Sequence, residues 1–297
     1  MNKPKVLVIL GPTATGKSDL AVRLAQKFNG EIVSADSRQI YKGMDLGTGK
    51  ITKKEMQGVP HHLLDIISPK SIYNVSKYKI QAQKVIMGIL KRQKLPIICG
   101  GTGFYIEAVV NNTTLPDVPP NPKLRKELEP KTGEQLMNIL TKLDNKISQT
   151  IDSKNKVKII RAIEIAKELG AVPALKSEPL YTAIQIGLMA PDKILKERIY
   201  RRLISRTKAG MLNEAKKLHD QGLSWKRMEN LGLEYRYMAR HLNGQITKDQ
   251  MINELNSKIW QYARRQKTWF KRNKSIKWYQ VGPKTNQKII SYLTTKI

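Results

Sequence analysis

The segment Gly11-Pro12-Thr13-Ala14-Thr15-Gly16-Lys17-Ser18 constrains this chain more than any other. It satisfies G-x-x-x-x-G-K-[ST] in full. It follows an apolar run from Lys5 to Leu10 and opens a stretch from Lys17 to Phe28 with apolar residues at Leu20, Ala21, Leu24, Ala25 and Phe28. Strand, glycine loop and helix in that order are the context the motif needs. The glycines let the backbone curl until its N–H groups converge on phosphate oxygens. The helix N-terminus adds a favourable dipole. Lys17 supplies a point charge, and the Ser18 hydroxyl is placed to ligate a Mg²⁺ that also holds the phosphates. The motif specifies a polyphosphate without specifying which one.

The surrounding pattern predicts an α/β fold, a P-loop-type parallel sheet covered by helices with an all-helical insertion domain. Glu31 to Ala35 reads as a second strand, with Gly30 closing the preceding helix. Tyr78 to Lys91 has helical spacing at Ala82, Val85, Ile86, Ile89 and Leu90, and Pro96 to Cys99 reads as a third strand before Gly100-Gly101. Strands alternating with helices indicate a parallel, helix-covered sheet. Pro116, Pro119, Pro120 and Pro122 then exclude a helix interior or a central strand. From Lys123 to Leu169 every strong pattern is helical. Tyr181 to Met189 returns to strand, and after Pro191 the pattern is helical nearly to the end. The expected organisation is a first core part over 1–116, a helical insertion over 117–179 and a second core part over 180–297.

Charge narrows the ligands. Fifty-four Lys and Arg against 24 Asp and Glu leave a net +30, a field that attracts phosphate-rich polymers and phosphorylated small molecules. No acid follows Glu254, while eleven Lys or Arg do. The helix that starts at Thr247 and Gln250 carries a capping-box pattern. Its expected inner face is Ile252, Leu255, Ile259, Tyr262, Gln266 and Trp269, with Arg264, Arg265, Lys267, Lys271 and Arg272 mostly outside it. One cysteine, Cys99, excludes an internal disulfide and a multi-cysteine zinc site. His61, His62, His219 and His241 show no metal-ligand spacing. The run Val6–Leu10 is too short for a membrane span. No membrane association, a cytoplasmic location and a monomer are the default expectations.

Three further groups are candidates for chemistry. Asp36 follows the second strand, where open parallel sheets bind ligands. It could cap the next segment, hold Mg²⁺, or act as a general base, and motif physics leaves these open; the His62-Leu63-Leu64-Asp65 segment is a weak alternative metal acid. Thr102, after Gly100-Gly101, could hydrogen-bond a ligand or cap the next helix. Arg198, Arg202 and Arg206 share a helical face that could neutralise a leaving diphosphate or simply face solvent.

Taken together the residues resemble the tRNA dimethylallyltransferases, also called tRNA isopentenyltransferases. The matching segments are Gly11 to Ser18, Ser34 to Thr48, Val59 to Asp65, Gly100 to Tyr105, Arg161 to Glu164 and Gln261 to Phe270, in order across nearly the whole chain. The resemblance implies transfer of a dimethylallyl group from dimethylallyl diphosphate to the exocyclic amine of the adenosine 3′-adjacent to the anticodon, with Mg²⁺ required and diphosphate released. By resemblance, Asp36 is the base, Thr102 orients the amine and donor, and Arg202 acts on the departing diphosphate with Lys17 and the Ser18-bound metal. Asp36, Ser37, Arg38 and Gln39 with Thr102 would touch the target nucleotide. Arg125, Val157, Lys158, Ile159, Ile160 and Arg161 would touch the tRNA anticodon stem-loop.

The family pattern carries an Asn-Asp pair and an arginine ahead of Arg161, where this chain has Lys154-Asn155 and Lys158. Lysine keeps the charge and loses the bidentate fork. The alternative is a P-loop kinase or NTPase acting on a phosphorylated small molecule, with Asp36 as metal ligand. A non-catalytic RNA-binding protein is a third reading.

Overall fold

The computed structural model describes residues 3–297. The first layer is built by β1 (Lys5–Leu10), α1 (Lys17–Lys27), β2 (Gly30–Ala35), α2 (Lys53–Met56), β3 (His61–His62), α3 (Val75–Lys91), β4 (Leu95–Gly100) and α4 (Gly103–Val110). Four helices follow: α5 (Pro122–Leu128), α6 (Gly133–Leu143), α7 (Asn145–Ser148) and α8 (Lys156–Leu169). The chain then forms β5 (Thr182–Met189), α9 (Asp192–Lys208), α10 (Met211–Asp220), α11 (Trp225–Leu231), α12 (Leu233–Leu242), α13 (Lys248–Phe270), β6 (Lys277–Gln280) and α14 (Thr285–Thr294).

The six strands form one sheet in the order β3-β2-β4-β1-β5-β6, and every pairing is parallel. β2 and β4 are buried along their whole length and β1 along all but its first residue. That is why these strands read as continuous apolar runs rather than alternations. The chain leaves β1 toward β2 on one side and later returns to pair β5 on its other side, so β1 lies at a switch point. The carboxyl ends of β1, β2 and β4 therefore open onto a common crevice.

The chain divides into two compact units. One runs to Asn112 and resumes over Pro179–Ile297; the other is Thr113–Glu178. The second unit holds its own small core of Leu124, Leu128, Leu136, Leu140, Ile159, Ala162 and Ile163. Its first helix starts at Pro122, where a missing N–H costs nothing, with Asn121 capping the Leu124 N–H at 3.0 Å. In the first unit, α9 to α13 pack around Ile40, Tyr41 and Met44, the segment just beyond β2. Among the described residues no helix is long and apolar enough to cross a membrane.

Several local expectations are corrected. Gly30 does not close α1: Asn29 takes the left-handed turn (φ 47°), and Gly30 starts β2. A Cβ at Gly30 would come within 2.9 Å of the Leu95 carbonyl, so the glycine serves the close approach of β4. β3 and β6 are extra edge strands. The buried stripe of α13 is Met251, Leu255, Ile259, Ala263, Gln266 and Phe270, while Ile252, Tyr262 and Trp269 are half-buried beside it. The helix is rotated slightly from its expected face, which turns Tyr262 toward the crevice described below.

Candidate active site

A cavity of about 560 Å³ lies at the carboxyl ends of the central strands and is lined by P-loop residues together with Asp36, Gln39, Arg198, Arg202 and Arg206. The P-loop's geometry comes from its glycines. Gly11 (φ 140°) lies where a Cβ would overlap the Leu188 carbonyl, and Gly16 (φ 84°) caps α1 in the left-handed region. The Thr15 hydroxyl donates to the Pro12 carbonyl at 2.9 Å, which tightens the turn. The Lys17 ammonium donates to the same carbonyl at 2.6 Å. Enclosure by protein pushes the Lys17 pKa down from 10.5 to about 8; the nearby Arg202 charge acts in the same direction, and Asp36 opposes it. Ser18, exposed at the start of α1, lines the cavity.

Asp36 performs a structural task and keeps capacity for another. Its Oδ1 accepts the Arg38 N–H at 2.8 Å and the Gln39 N–H at 3.4 Å, an Asx turn that bends the chain after β2. Its Oδ2 makes no bond among the described residues. The capping reading and the cavity-facing reading are therefore both realised. The end of β2 is itself held by Tyr78, whose ring stacks on Tyr105 at 4.1 Å and whose hydroxyl donates to the Ser34 carbonyl at 3.1 Å.

Thr102 occupies the N-cap position of α4, yet its side chain caps nothing. Its hydroxyl oxygen accepts the Ser37 N–H at 3.1 Å, and its own N–H donates to the Ala35 carbonyl at 3.1 Å. Tyr262 lines the cavity beside Thr102, and burial pushes its phenol pKa up. Thr102 thus ties the β4 turn to the segment carrying Asp36.

Arg202 donates to the Gly49 carbonyl at 2.8 Å. Arg206 donates to the carbonyls of Leu46 (3.1 Å) and Gly47 (2.9 Å) and to Glu234 (3.2 Å), while its buried Nε has no partner. Arg201 points elsewhere and pairs with Glu197 at 2.6 Å. The His62–Asp65 alternative falls away, because His62 bonds Glu31 at 2.7 Å and Asp65 pairs with Lys50. Two residues that the spacing of α13 assigns only to packing reach the site. Tyr262 is one; the other is Gln266, 5% exposed, which accepts the Thr13 N–H at 2.9 Å and donates to the Gly101 carbonyl at 2.8 Å. The signal for it is a glutamine on an otherwise apolar stripe.

The proposed RNA contacts of the second unit are placed as follows. Buried Glu164 takes a bidentate pair from Arg125 (2.6 and 2.8 Å) and a bond from Arg161 at 3.1 Å. Arg161 also donates to the Val118 carbonyl at 2.6 Å. Val157 is 78% exposed and Lys158 is exposed, with Ile160 half-buried. Ile159 is 0% exposed. Its side chain packs in the core of this unit with Leu124, Leu128, Leu136 and Leu140, which leaves no side-chain surface for an RNA contact.

The model of the family described as IPP transferase matches residues 39–273. This chain belongs to the IPP transferase family. It is 42% identical over 277 residues to the tRNA dimethylallyltransferase 2 of Treponema denticola, covering 91% of this chain and 93% of that one. It is 36% identical to the tRNA dimethylallyltransferase of Bacillus licheniformis, over 99% and 98% of the two chains. The crystal structure of the full-length tRNA isopentenylpyrophosphate transferase of Bacillus halodurans superposes with a TM-score of 0.76 at 36% identity, covering 99% of this chain and 97% of that one. A eukaryotic dimethylallyltransferase described as acting on tRNA shares the fold, with a TM-score of 0.80 at 24% identity over 99% of this chain and 79% of that one. The parallel six-stranded sheet with its helical cover is thus the fold of this IPP transferase and its structural neighbours.

Proposed function

We propose that this protein transfers a dimethylallyl group from dimethylallyl diphosphate to the exocyclic amine of the adenosine 3′-adjacent to the anticodon in tRNA. The observation that carries the reading is the convergence of the P-loop, Asp36 and Arg202 on one cavity. The names of the family's members support transfer over the kinase or NTPase alternative.

An adenine amine is a weak nucleophile because its lone pair is delocalised into the ring. As the new N–C bond forms, the allylic C–O bond breaks and its electron pair leaves on the diphosphate. The amine proton passes to the Asp36 carboxylate, which has one oxygen engaged in the turn and the other unbonded. Thr102 orients the amine, and Lys17 with Arg202 meets the developing charge on the diphosphate.

Mg²⁺ fits this donor set. Mg²⁺ prefers few protein ligands alongside phosphate oxygens and water, and the Ser18 hydroxyl at the cavity is a hard oxygen ligand of that kind. The Ser18 hydroxyl would hold it, and when bound it supplies neutralisation of the diphosphate. The target base must leave its stack to reach the cavity, which a single-stranded anticodon loop permits. Segment Asp36–Gln39 contacts the target nucleotide, while Arg125, exposed residues of α8 and the basic helix α13 contact the stem-loop. The protein acts as a monomer.

The test is one incubation of protein, Mg²⁺, dimethylallyl diphosphate and unmodified tRNA, followed by nucleoside mass spectrometry. Prenylated adenosine is expected, and its absence with an Asp36→Ala control. ATP hydrolysis without RNA and no use of the allylic donor would select the kinase or NTPase reading.

A further inference from the structure

The segment Asp45–Gly49 forms one wall of the cavity, and what holds it in place lies outside that wall. The Glu214 carboxylate on α10 faces the segment's amides. Its Oε2 accepts the N–H groups of Asp45 (2.9 Å) and Leu46 (2.7 Å); its Oε1 accepts the Gly47 N–H (2.9 Å) and the Tyr235 hydroxyl (2.6 Å). Glu214 makes no ion pair among the described residues, so the partners of its charge are consecutive backbone amides and a phenol. Gly47 fits because a Cβ there would come within 2.6 Å of the Tyr235 ring.

The arginines meet carbonyls of the same segment from the other side, and the Leu46–Gly47 peptide is held at both ends. The carbonyls of Leu46 and Gly47 accept from Arg206, and the Gly49 carbonyl accepts from Arg202 at 2.8 Å and from the Gln39 amide at 3.3 Å. The Leu46–Gly47 peptide is thus polarised between the Glu214 carboxylate behind and the Arg206 guanidinium in front, an arrangement in which each bond strengthens the next, and its carbonyl accepts the N–H of Gly49, the residue whose own carbonyl meets Arg202, at 3.1 Å. A Cβ at Gly49 would overlap the Arg202 guanidinium, so the arginine lies directly against this backbone.

We infer that Glu214 is a positioning residue for the transfer reaction: by fixing the Asp45–Gly49 backbone it sets the aim of Arg202 on the leaving diphosphate. The inference rests on the role proposed above for Arg202. Glu214 lies outside the cavity lining and acts only through the segment. Glutamine at 214 keeps the shape but turns an NH₂ toward backbone donors, which leaves N–H groups facing N–H groups.

The experiment is a double-mutant cycle read as single-turnover transfer rate at saturating donor and RNA, with RNA affinity and melting temperature measured alongside. Glu214→Gln is expected to slow transfer about 10- to 100-fold through misplacement of Arg202, with RNA affinity unchanged. In an Arg202→Ala background the same substitution is expected to cost no more than about twofold, because its effect runs through the missing side chain. Equal losses in both backgrounds overturn the inference and leave Glu214 a fold residue. Full rate in Arg202→Ala alone removes the role of Arg202 and the inference with it. If Glu214→Gln does not fold, Tyr235→Phe removes one bond to the same carboxylate. It is expected to cost about two- to tenfold, again only when Arg202 is present; equal losses with and without Arg202 overturn the inference.

Discussion

Gln266 joins Thr13 of the P-loop to the β4 turn through a single side-chain amide, accepting at 2.9 Å from the Thr13 N–H and donating at 2.8 Å to the Gly101 carbonyl. One P-loop amide is therefore spent on the scaffold instead of on phosphate. Gln266→Leu would keep the volume roughly and strand both backbone groups, at about 1–3 kcal/mol for each that stays dry. A lower melting temperature and weaker diphosphate binding are expected together, read by thermal denaturation and calorimetry. Unchanged diphosphate affinity in a destabilised variant would show that the brace serves stability alone.

Lys17 predicts a pH signature for anion binding. Burial holds its ammonium near a pKa of about 8. A bound diphosphate brings negative charge and raises that value. Below pH 8 the lysine is already charged, and binding takes up little proton. Above pH 8 the empty protein has lost the proton that the complex keeps, so affinity falls as pH rises through about 8. Calorimetric titration with diphosphate from about pH 7 to 9.5, in buffers of different ionisation enthalpy, should show proton uptake growing over that interval. A flat affinity would mean Lys17 keeps its proton without help.

Asp36 separates chemistry from binding. In Asp36→Asn the amide oxygen can still accept the Arg38 and Gln39 N–H groups, so the turn survives while the proton acceptor is lost. Transfer is expected to drop about 10²- to 10⁴-fold, with diphosphate and RNA affinities held within about twofold by the preserved shape. Rate measurement at saturating substrates checks it, and near-normal turnover would remove Asp36 from the base role.

The P-loop, the strand before it and the crevice position of Asp36 are legible in the sequence because each is local: a spacing, an apolar run, a strand end. β3 and β6 are not, because strands of two and four residues at sheet edges carry no periodicity. The face of α13 is offset from its spacing because apolar and half-buried residues alternate around it within one turn. Glu214 is invisible for another reason. Three of its four partners are backbone amides 167 to 169 residues earlier, and backbone groups leave no trace in side-chain patterns. Arg202 and Gly49 are separated by 153 residues, so only the fold reveals that they touch. Ile159 shows the opposite limit, since motif matching alone cannot distinguish the buried face of α8 from its exposed one.

The charges of α13 should set the salt dependence of RNA binding. Lys267 is paired with Asp192 at 3.0 Å, and Arg265 and Arg272 lie over Tyr262 and Trp269. Arg264 and Lys271 are exposed and have neither kind of partner. They are the cations at the C-terminal end of this helix most available to phosphate, and each phosphate they neutralise releases condensed counterions from the RNA. Replacing Arg264 and Lys271 with Gln should weaken tRNA binding and flatten the plot of log affinity against log salt by about 0.7 to 0.9 for each phosphate no longer neutralised. Lys267→Gln should change the slope less, because Asp192 already offsets that charge. Filter binding across a salt series separates the two cases. An unaltered slope in the Arg264→Gln, Lys271→Gln variant would place the RNA on a different face of the protein.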